Sequence, residues 1–175
     1  IIPQRTAQEL HRLLPTTNDS VVLIFGEGQI SCAIGDVHLV SRLIDGTYPD
    51  YRQIIPKTWN TEVKAPVEET LKAIKAASLF ATQGVSAVSL ELKPTEETLN
   101  ITSASSQAGE HSADVAIEGT GADNKVILNH RFLADGLVAI DDERVVFKVV
   151  NSESPCMLQP EKTDDYLYII MPIRQ

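Results

Sequence analysis

The chain has 175 residues, of which 43% are hydrophobic, so its length suits one or one and a half domains with a buried core. Its formal net charge of −9 argues against a nucleic-acid-binding protein, because such proteins usually carry a basic patch or stripe. No apolar run approaches the roughly 20 residues of a membrane-spanning helix, and no signal peptide is visible. Because the chain begins at Ile1 rather than Met, we expect it to be a piece of a longer protein.

The first part of the chain is predicted to fold as one helix followed by three strands. Leu10, Leu13 and Leu14 recur at helical spacing, and Pro3 is acceptable in a first helical turn. Short apolar runs separated by glycine-containing turns then indicate a strand meander. The predicted elements are a helix over 3–14, a loop over 15–19, strands over 20–25, 29–34 and 37–44, and turns at 26–28 and 35–36.

A connector rich in aromatic residues follows the third strand. Gly46 accepts the positive φ of a tight turn. Pro49 fixes its own φ and holds Tyr48 in an extended conformation, so no helix continues here. Together with Tyr51, this composition predicts an ordered connector rather than a flexible linker. A second, polar and extended connector is expected over 57–66.

Two more helix signals lie in the rest of the chain. Residues 67–80 carry apolar side chains at helical spacing, with Lys72 and Lys75 on another face. Asn129 suits the N-cap of a helix over 129–140. The residues expected to face the core are Val67, Leu71, Ile74, Ala77 and Ser78, with Leu79 beside them, and Phe132, Leu133, Leu137 and Ile140. Strands are predicted over 84–92, 98–103, 112–118, 125–128, 144–150, 156–158 and 166–172, with turns or loops at 94–97, 105–110 and 119–124.

One structural unit repeats along the chain. The residues that precede the first helix, Ile1 to Arg5, match those that precede the third, Val126 to Arg131. Each helix is followed by short strands, so the repeating unit is one helix plus a strand meander, which predicts an α+β fold. Three units are expected, over 1–56, about 57–118 and about 119–175.

Catalytic and metal-binding motifs are not evident in the sequence. The four histidines share no ligand spacing, so we expect no metal and no cofactor. Cys32 and Cys156 belong to no CxxC pair and are expected to be reduced core thiols. Asp45 and Asp50 are interpreted as turn residues. Two functional alternatives remain open: a small acidic hydrolase or isomerase that uses Asp50 and Tyr51, and an adaptor with exposed strand edges.

Two segments carry a family resemblance. Residues 41–56 read SRLIDGTYPDYRQIIP, and residues 168–174 read YIIMPIR. They resemble the end of the middle domain and the C-terminus of the bacterial DNA polymerase III beta subunit family, the sliding clamps. The resemblance implies a DNA clamp fold, in which helices line the inner face and antiparallel sheets lie outside. It also implies that 1–56 form the second half of a middle domain and 57–175 the third domain.

The resemblance implies a non-catalytic role in DNA replication. A clamp of this family is a ring-shaped homodimer that encircles duplex DNA without sequence preference and confers processivity on the polymerase. The implied partners are the DNA polymerase III alpha subunit, the clamp loader and other proteins with a clamp-binding peptide motif anchored by Leu and Phe. The implied location is the cytoplasm, at the nucleoid. A negative net charge is compatible with this role because only the local field of the inner helices meets DNA.

The resemblance also assigns residues to three surfaces. The departures from the family pattern are Gln53, where some members have Arg, and Gln175, where Leu is common. The implied partner-peptide pocket comprises Pro49, Gln53, Ile54, Pro155, Ile169, Ile170, Met171, Pro172, Ile173 and Arg174. The implied DNA-facing residues are Arg5, Arg12, Lys72, Lys75 and Arg131, and the implied ring-interface residues are Ser78, Leu79 and Phe80.

Overall fold

The computed structural model describes residues 1–14, 20–81, 86–106 and 108–174. The predicted loop over 15–19, the predicted strand start at Gly84 and Val85, Gln107 and Gln175 lie outside the described residues. The chain folds into two compact units, Ile1–Asp50 (unit 1) and Tyr51–Gln175 (unit 2).

Unit 1 consists of one helix and an antiparallel sheet with the strand order β1-β2-β3. The Thr6 and Ser41 hydroxyl oxygens lie 2.7 Å apart and join the helix to β3. The Ile44 N–H donates to the Ile1 carbonyl oxygen at 2.8 Å, which closes the unit beside the end of β3. The elements, in the predicted order, are α1 (Gln4–Leu13), β1 (Val21–Gly26), β2 (Gln29–Ile34) and β3 (Val37–Arg42).

Unit 1 leaves much apolar surface uncovered. Its core comprises Ile30, Cys32 and Ile34 of β2. The apolar residues of β1 are 37% to 61% exposed, and Leu14 at the end of α1 is 43% exposed. The predicted apolar stripe of α1 is therefore only partly buried among the described residues.

We expect Ile24→Lys to reduce self-association of the chain. Ile24 is 61% exposed and lies on the face of β1 opposite to Leu23, which is paired with the buried Cys32. A lysine on an exposed edge strand discourages edge-to-edge pairing, and the substitution removes apolar surface without touching the core. Sedimentation velocity at increasing protein concentration measures the effect. An unchanged dependence of average mass on concentration would contradict the expectation.

Unit 2 holds two antiparallel sheets and two helices. One sheet has five strands in the order β12-β11-β10-β4-β8, and the other has four in the order β7-β6-β5-β9. The helices are α2 (Val67–Ser78) and α3 (His130–Val138). The strands are β4 (Thr61–Pro66), β5 (Ala87–Lys93), β6 (Thr98–Ser105), β7 (Gly109–Ala116), β8 (Glu118–Gly121), β9 (Asn124–Asn129), β10 (Arg144–Val149), β11 (Cys156–Pro160) and β12 (Tyr168–Ile170).

The helix-plus-meander repeat is confirmed for all three described helices. Each helix is followed by three consecutive antiparallel strands: β1 to β3, β5 to β7, and β10 to β12. In unit 2 the two repeats also exchange strands. The strand before α2, β4, pairs with β10, and the strand before α3, β9, pairs with β5. This exchange locks both repeats around one core that includes Ile74, Leu90, Leu133 and Phe147.

The prediction of a polar connector over 57–66 is wrong, because its second half is β4, which lies inside the five-stranded sheet. Thr61, Val63 and Ala65 are buried and alternate with half-buried residues. The charged residues between them, Glu62 and Lys64, are paired with residues of opposite charge: Lys64 Nζ lies 2.8 Å from Glu161, and Lys148 lies 3.4 Å from Glu62. The strand was not predicted because its charged residues hid the alternation of buried and half-buried positions.

The prediction of a loop over 119–124 is also wrong. Glu118–Gly121 form β8, which pairs with β4, and Asn124 begins β9. Two glycines made the segment read as a loop, although here they permit close approach to β4. The predicted loop over 105–110 is shorter than expected, since β6 extends through Ser105 and β7 begins at Gly109.

The predicted core faces of α2 and α3 are partly wrong. In α2 the buried residues include Thr70 and Ala73, and Leu79 is 76% exposed. Thr70 is buried because its hydroxyl donates to the Pro66 carbonyl oxygen at 2.7 Å. In α3 Phe132 is 56% exposed, whereas Leu133, Leu137 and Ile140 are buried as expected.

Candidate functional site

The C-terminal tail of unit 2 is a short strand followed by an exposed apolar segment. Tyr168–Ile170 pair antiparallel with β11, and Ile170 is 3% exposed. Met171 is then 54% exposed, and Pro172 and Ile173 are half-buried. The pairing of β12 with β11 accounts for the apolar side chains of Ile169 and Ile170. It does not account for the exposed apolar side chain of Met171, which lies beyond the strand.

Among the described residues, one backbone hydrogen bond holds the tail against the neighbouring sheet. The Ile173 N–H donates to the Ile127 carbonyl oxygen of β9 at 2.8 Å. The tail therefore joins the five-stranded sheet, through β12, to the free edge of the four-stranded sheet. Residues 171–173 are held in place by this contact rather than projecting as an unsupported terminus.

A cavity of about 650 Å³ lies beside the tail. Ile173 and Arg174 line one side, and the loop 151–153 lines the other. The Asn151 side chain orders this loop by accepting N–H bonds from Glu153 and Ser154 at 2.9 and 2.8 Å. Ile173 and Arg174 are the two residues of the predicted peptide pocket that line this cavity. The loop was not predicted, because its position depends on the pairing of β10 with β11.

The predicted pocket residues of the connector are exposed. Tyr51–Gln53 form a single 3-10 turn, and the Ile54 N–H donates to the Tyr51 carbonyl oxygen at 3.0 Å. Ile54 is 46% exposed. Gln53 and Ile54 belong to unit 2 together with the half-buried Pro155, whereas Pro49 belongs to unit 1.

The predicted DNA-facing cations divide into two groups. Arg12 is paired with Glu9 of its own helix, and Lys72 lies 2.6 Å from Glu68. Within the described parts of the chain, Arg5, Lys75 and Arg131 form no ion pair and are exposed. The hydrogen bond with Arg12 and, to a smaller extent, the charge of Arg5 lower the pKa of Glu9. Lys75 and Arg131 are therefore the cations with the least competition from carboxylates for a phosphate.

The N-terminus of α3 is well capped. Asn129 is the N-cap, as predicted, and its side chain accepts the Arg131 N–H at 2.9 Å. Burial, and secondarily the charge of Arg131, lowers the pKa of the neighbouring His130. His130 is therefore uncharged at neutral pH, and Arg131 supplies the cation at this end of the helix.

The predicted ring-interface segment forms an exposed helix end. Leu79, at 76% exposure, follows directly after the last residue of α2. Phe80 stacks on His111 of β7, with ring centroids 5.4 Å apart and an interplanar angle of 25°. Sequence reasoning missed His111, since nothing local indicates that β7 lies beside α2.

The described residues show few features of a catalytic or metal-binding site. No group of three or more His, Cys, Asp or Glu in the described ranges is arranged to hold a metal ion. Cys32 and Cys156 are free and buried, and burial raises the pKa of Cys156 to about 12. None of the described helices is long and apolar enough to cross a membrane.

Comparison with known families accounts for both units. Residues 52–174 match the family model for the C-terminal domain of the DNA polymerase III beta subunit, and residues 1–50 match the model for the central domain of the same protein.

The chain belongs to the DNA polymerase III beta subunit family.

Curated relatives in this family carry the name beta sliding clamp. The protein from Staphylococcus aureus is 28% identical over 99% of this chain, and that from Synechococcus elongatus is 29% identical over 99%. The chain spans about half the length of these relatives, 46% and 47% respectively.

Solved structures of the family share the whole fold. A DNA polymerase sliding clamp from Pseudomonas aeruginosa, crystallised with a ligand, superposes with a TM-score of 0.91 at 26% identity, covering 100% of this chain and 47% of that one. A DNA polymerase III beta subunit from Thermotoga maritima gives a TM-score of 0.85 at 29% identity, covering 98% and 46%. The α+β clamp fold expected from the sequence is thereby confirmed.

Proposed function

We propose that this chain serves in DNA replication as part of a sliding clamp that encircles duplex DNA and tethers the replicative polymerase. The observation that carries the proposal is the likeness to a DNA polymerase sliding clamp over 100% of the chain, at a TM-score of 0.91. The role is non-catalytic: the ring topology retains the clamp on DNA. Membership of this family gives no support to the hydrolase or isomerase alternative based on Asp50 and Tyr51.

The proposed domain assignment follows the repeat pattern. Residues 1–56 supply the second half of a middle domain, and 57–175 supply a third domain. The family models support this order, with the central-domain match on 1–50 and the C-terminal-domain match on 52–174. The complete ring, a homodimer, needs the domains that lie in the longer relatives.

The proposed partner site is a peptide pocket built around the tail and the connector. It takes the Leu and Phe anchors of a short motif carried by the DNA polymerase III alpha subunit, the clamp loader and other partners in the cytoplasm. Exposed Met171 and Ile54 favour this assignment, since exposed apolar side chains held by ordered backbone are typical of docking sites. Exposed Phe132 is added to the candidates for this surface. The remaining proposed residues are Pro49, Gln53, Pro155, Ile169, Ile170, Pro172, Ile173 and Arg174.

The double substitution Met171→Ala and Pro172→Ala tests the pocket. Truncating an anchor-contacting wall commonly costs about 1–2 kcal/mol or more, so the affinity for a labelled Gln-Leu-Ser-Leu-Phe peptide should fall about tenfold or more. Fluorescence anisotropy on the wild-type and variant chains measures it. Leu167→Ala, at an exposed apolar residue outside the proposed pocket, is the matched control. Equal affinities of all three proteins would exclude this pocket.

The proposed DNA contacts are weak, salt-sensitive and independent of sequence. The double charge reversal Lys75→Glu and Arg131→Glu should remove about two phosphate contacts. The slope of log affinity against log salt concentration should become correspondingly less steep. Lys72→Glu should have a smaller effect, because Lys72 is already paired with Glu68. Titration of a fluorescent duplex at several salt concentrations gives the slopes. Equal slopes for all variants would remove these helices from the DNA-facing surface.

The proposed ring contact is the helix end Ser78, Leu79 and Phe80. Leu79 presents the apolar surface, and Phe80 is held by its stacking on His111. A partner protomer would bury Leu79, which is otherwise a costly residue to leave in water.

A further inference from the structure

A groove of about 840 Å³ lies where the start of α2 meets the end of α3. We refer to it as the helix-end groove. Its lining contains no residue of the tail or the connector, and Lys72 borders it through the ion pair with Glu68. Its apolar lining residues are Pro66, Val67, Leu71, Leu137, Val138 and Ile140.

The floor of the helix-end groove is apolar and accessible. Leu137 and Ile140 are buried beneath it, at 0% and 6% exposure. Val67 and Leu71 are half-buried, and Val138 is 67% exposed at its lip. An apolar side chain that entered the groove would therefore gain contacts without displacing any part of the core.

Hydrogen bonds hold the walls of the groove in place. The Asp142 carboxylate, on a side chain 3% exposed, accepts the N–H of Glu143 at 2.6 Å and of Lys162 at 2.9 Å. The Lys162 ammonium lies 3.2 Å from the same carboxylate. The Val67 N–H donates to the Glu143 carbonyl oxygen at 2.9 Å, which ties α2 to the segment after α3. The groove is thus largely preformed, which lowers the entropic cost of binding.

The rim of the groove is acidic. Asp141, Glu143 and Glu68 are exposed, and Glu68 is paired with Lys72 at 2.6 Å. The one cation of the lining, Lys162, is engaged with Asp142. A phosphate backbone would be repelled by these carboxylates. A cationic partner is attracted.

We propose that the helix-end groove binds a short peptide segment in which one or two apolar anchor residues are flanked by lysine or arginine. The anchor packs against Leu71 and Val138. The flanking cations meet the carboxylates of Asp141 and Glu143. This partner differs in charge from the motif assigned to the tail pocket, and the groove shares no lining residue with the cavity beside the tail.

The test is fluorescence anisotropy with the probe peptide Lys-Arg-Leu-Leu-Arg-Lys, titrated with the full chain. Two further probes separate the contribution of the apolar anchor from that of the positive charge. Lys-Arg-Ser-Ser-Arg-Lys lacks the anchor, and Glu-Glu-Leu-Leu-Glu-Glu reverses the charge. We expect saturable binding of the first probe, at least about tenfold weaker binding of the second, and none of the third.

Variants locate the site. Val138→Asp places a charge at the lip on an already exposed side chain and should weaken the first probe at least about tenfold. Val40→Asp, at a residue of similar exposure (62%) in unit 1, is its matched control and should have no effect. Glu143→Lys should weaken binding, whereas Glu27→Lys in the β1–β2 turn should not.

Three results would overturn the proposal. Equal binding of the probe with and without leucines would show charge attraction alone. Unchanged binding by Val138→Asp would place the peptide elsewhere. A dimer in sedimentation velocity that Val138→Asp dissociates would assign the groove to a second copy of the chain.

Discussion

Replacing Gly119 with alanine is expected to cost unit 2 about 1–3 kcal/mol of unfolding free energy, the range typical of overpacking in a well-packed structure. A Cβ at this position would lie 2.3 Å from the Glu62 carbonyl oxygen and 2.7 Å from the Val63 Cα. Both atoms belong to the backbone of β4, so no rotamer change can relieve the clash. The strand pairing of β8 with β4 must open or shift.

The stability lost on Gly119→Ala can be measured in unit 2 alone. Trp59 is the single tryptophan of the chain and lies just before Thr61, where β4 begins. Urea unfolding followed by Trp59 fluorescence therefore reports on the affected strands. Thr120→Ala, at the neighbouring exposed residue of β8, should change stability by no more than about 0.5 kcal/mol. Equal midpoints for Gly119→Ala and Thr120→Ala would show that β8 does not approach β4 this closely.

Gly136→Ala is expected to destabilise unit 2 even though glycine is a poor residue for a helix. Alanine would gain about 1 kcal/mol in helical preference inside α3. Its Cβ, however, would lie 2.5 Å from Cδ1 of Tyr168, and forcing an extra methyl into such a contact costs about 1–3 kcal/mol. The Tyr168 ring has little room to yield, since it stacks on Tyr166 at 6.3 Å and its backbone pairs with Leu158. The clash should therefore outweigh the gain.

The same substitution should weaken partner binding. Tyr168 begins β12, which leads directly to Met171, so a displaced ring moves the proposed pocket wall. Urea unfolding and the peptide titration both report the change. Asp135→Ala, an exposed substitution in the same helix that also gains helical preference, should leave stability unchanged or slightly raised. If Gly136→Ala raised stability as Asp135→Ala does, the packing of Tyr168 on α3 would be refuted.

Periodicity and turn chemistry carried much of the fold prediction. The spacing of leucines predicted α1, Asn129 predicted the cap of α3, and the apolar runs around Gly26 and Gly28 predicted the β1–β2 hairpin. These signals are local: each depends on side chains within a few residues of one another. The helix-plus-meander repeat followed from them because it only requires their order along the chain.

The errors arose where distant residues decide the outcome. Strand β4 contains Glu62 and Lys64, which are acceptable in a sheet only because Lys148 and Glu161 lie beside them. Strand β8 depends on glycines that allow close approach to β4. The close packing of Tyr168 against Gly136 joins two elements that are distant in sequence. None of these contacts leaves a pattern within a short window.

The candidate site divides in the same way. Motifs indicated the tail and the connector, and the structure shows Met171 and Ile54 exposed within them. The hydrogen bond from Ile173 to Ile127, the loop at Asn151 and the stacking of Phe80 on His111 bring together separate elements. Local sequence could not have supplied them, and neither could it have supplied the helix-end groove, which forms only where α2 and α3 meet.

This chain is proposed to carry the partner-binding tail of a sliding clamp. The most direct test is a fluorescence anisotropy titration of labelled Gln-Leu-Ser-Leu-Phe with the chain, and with the same protein extended upstream to the length of its relatives. A peptide with both leucines and the phenylalanine replaced by alanine is the control. We expect saturable binding by the extended protein that unlabelled peptide displaces and that the alanine peptide does not show. The chain itself should bind more weakly, with the same specificity. Equal binding of both peptides, or no binding by the extended protein, would contradict the proposal.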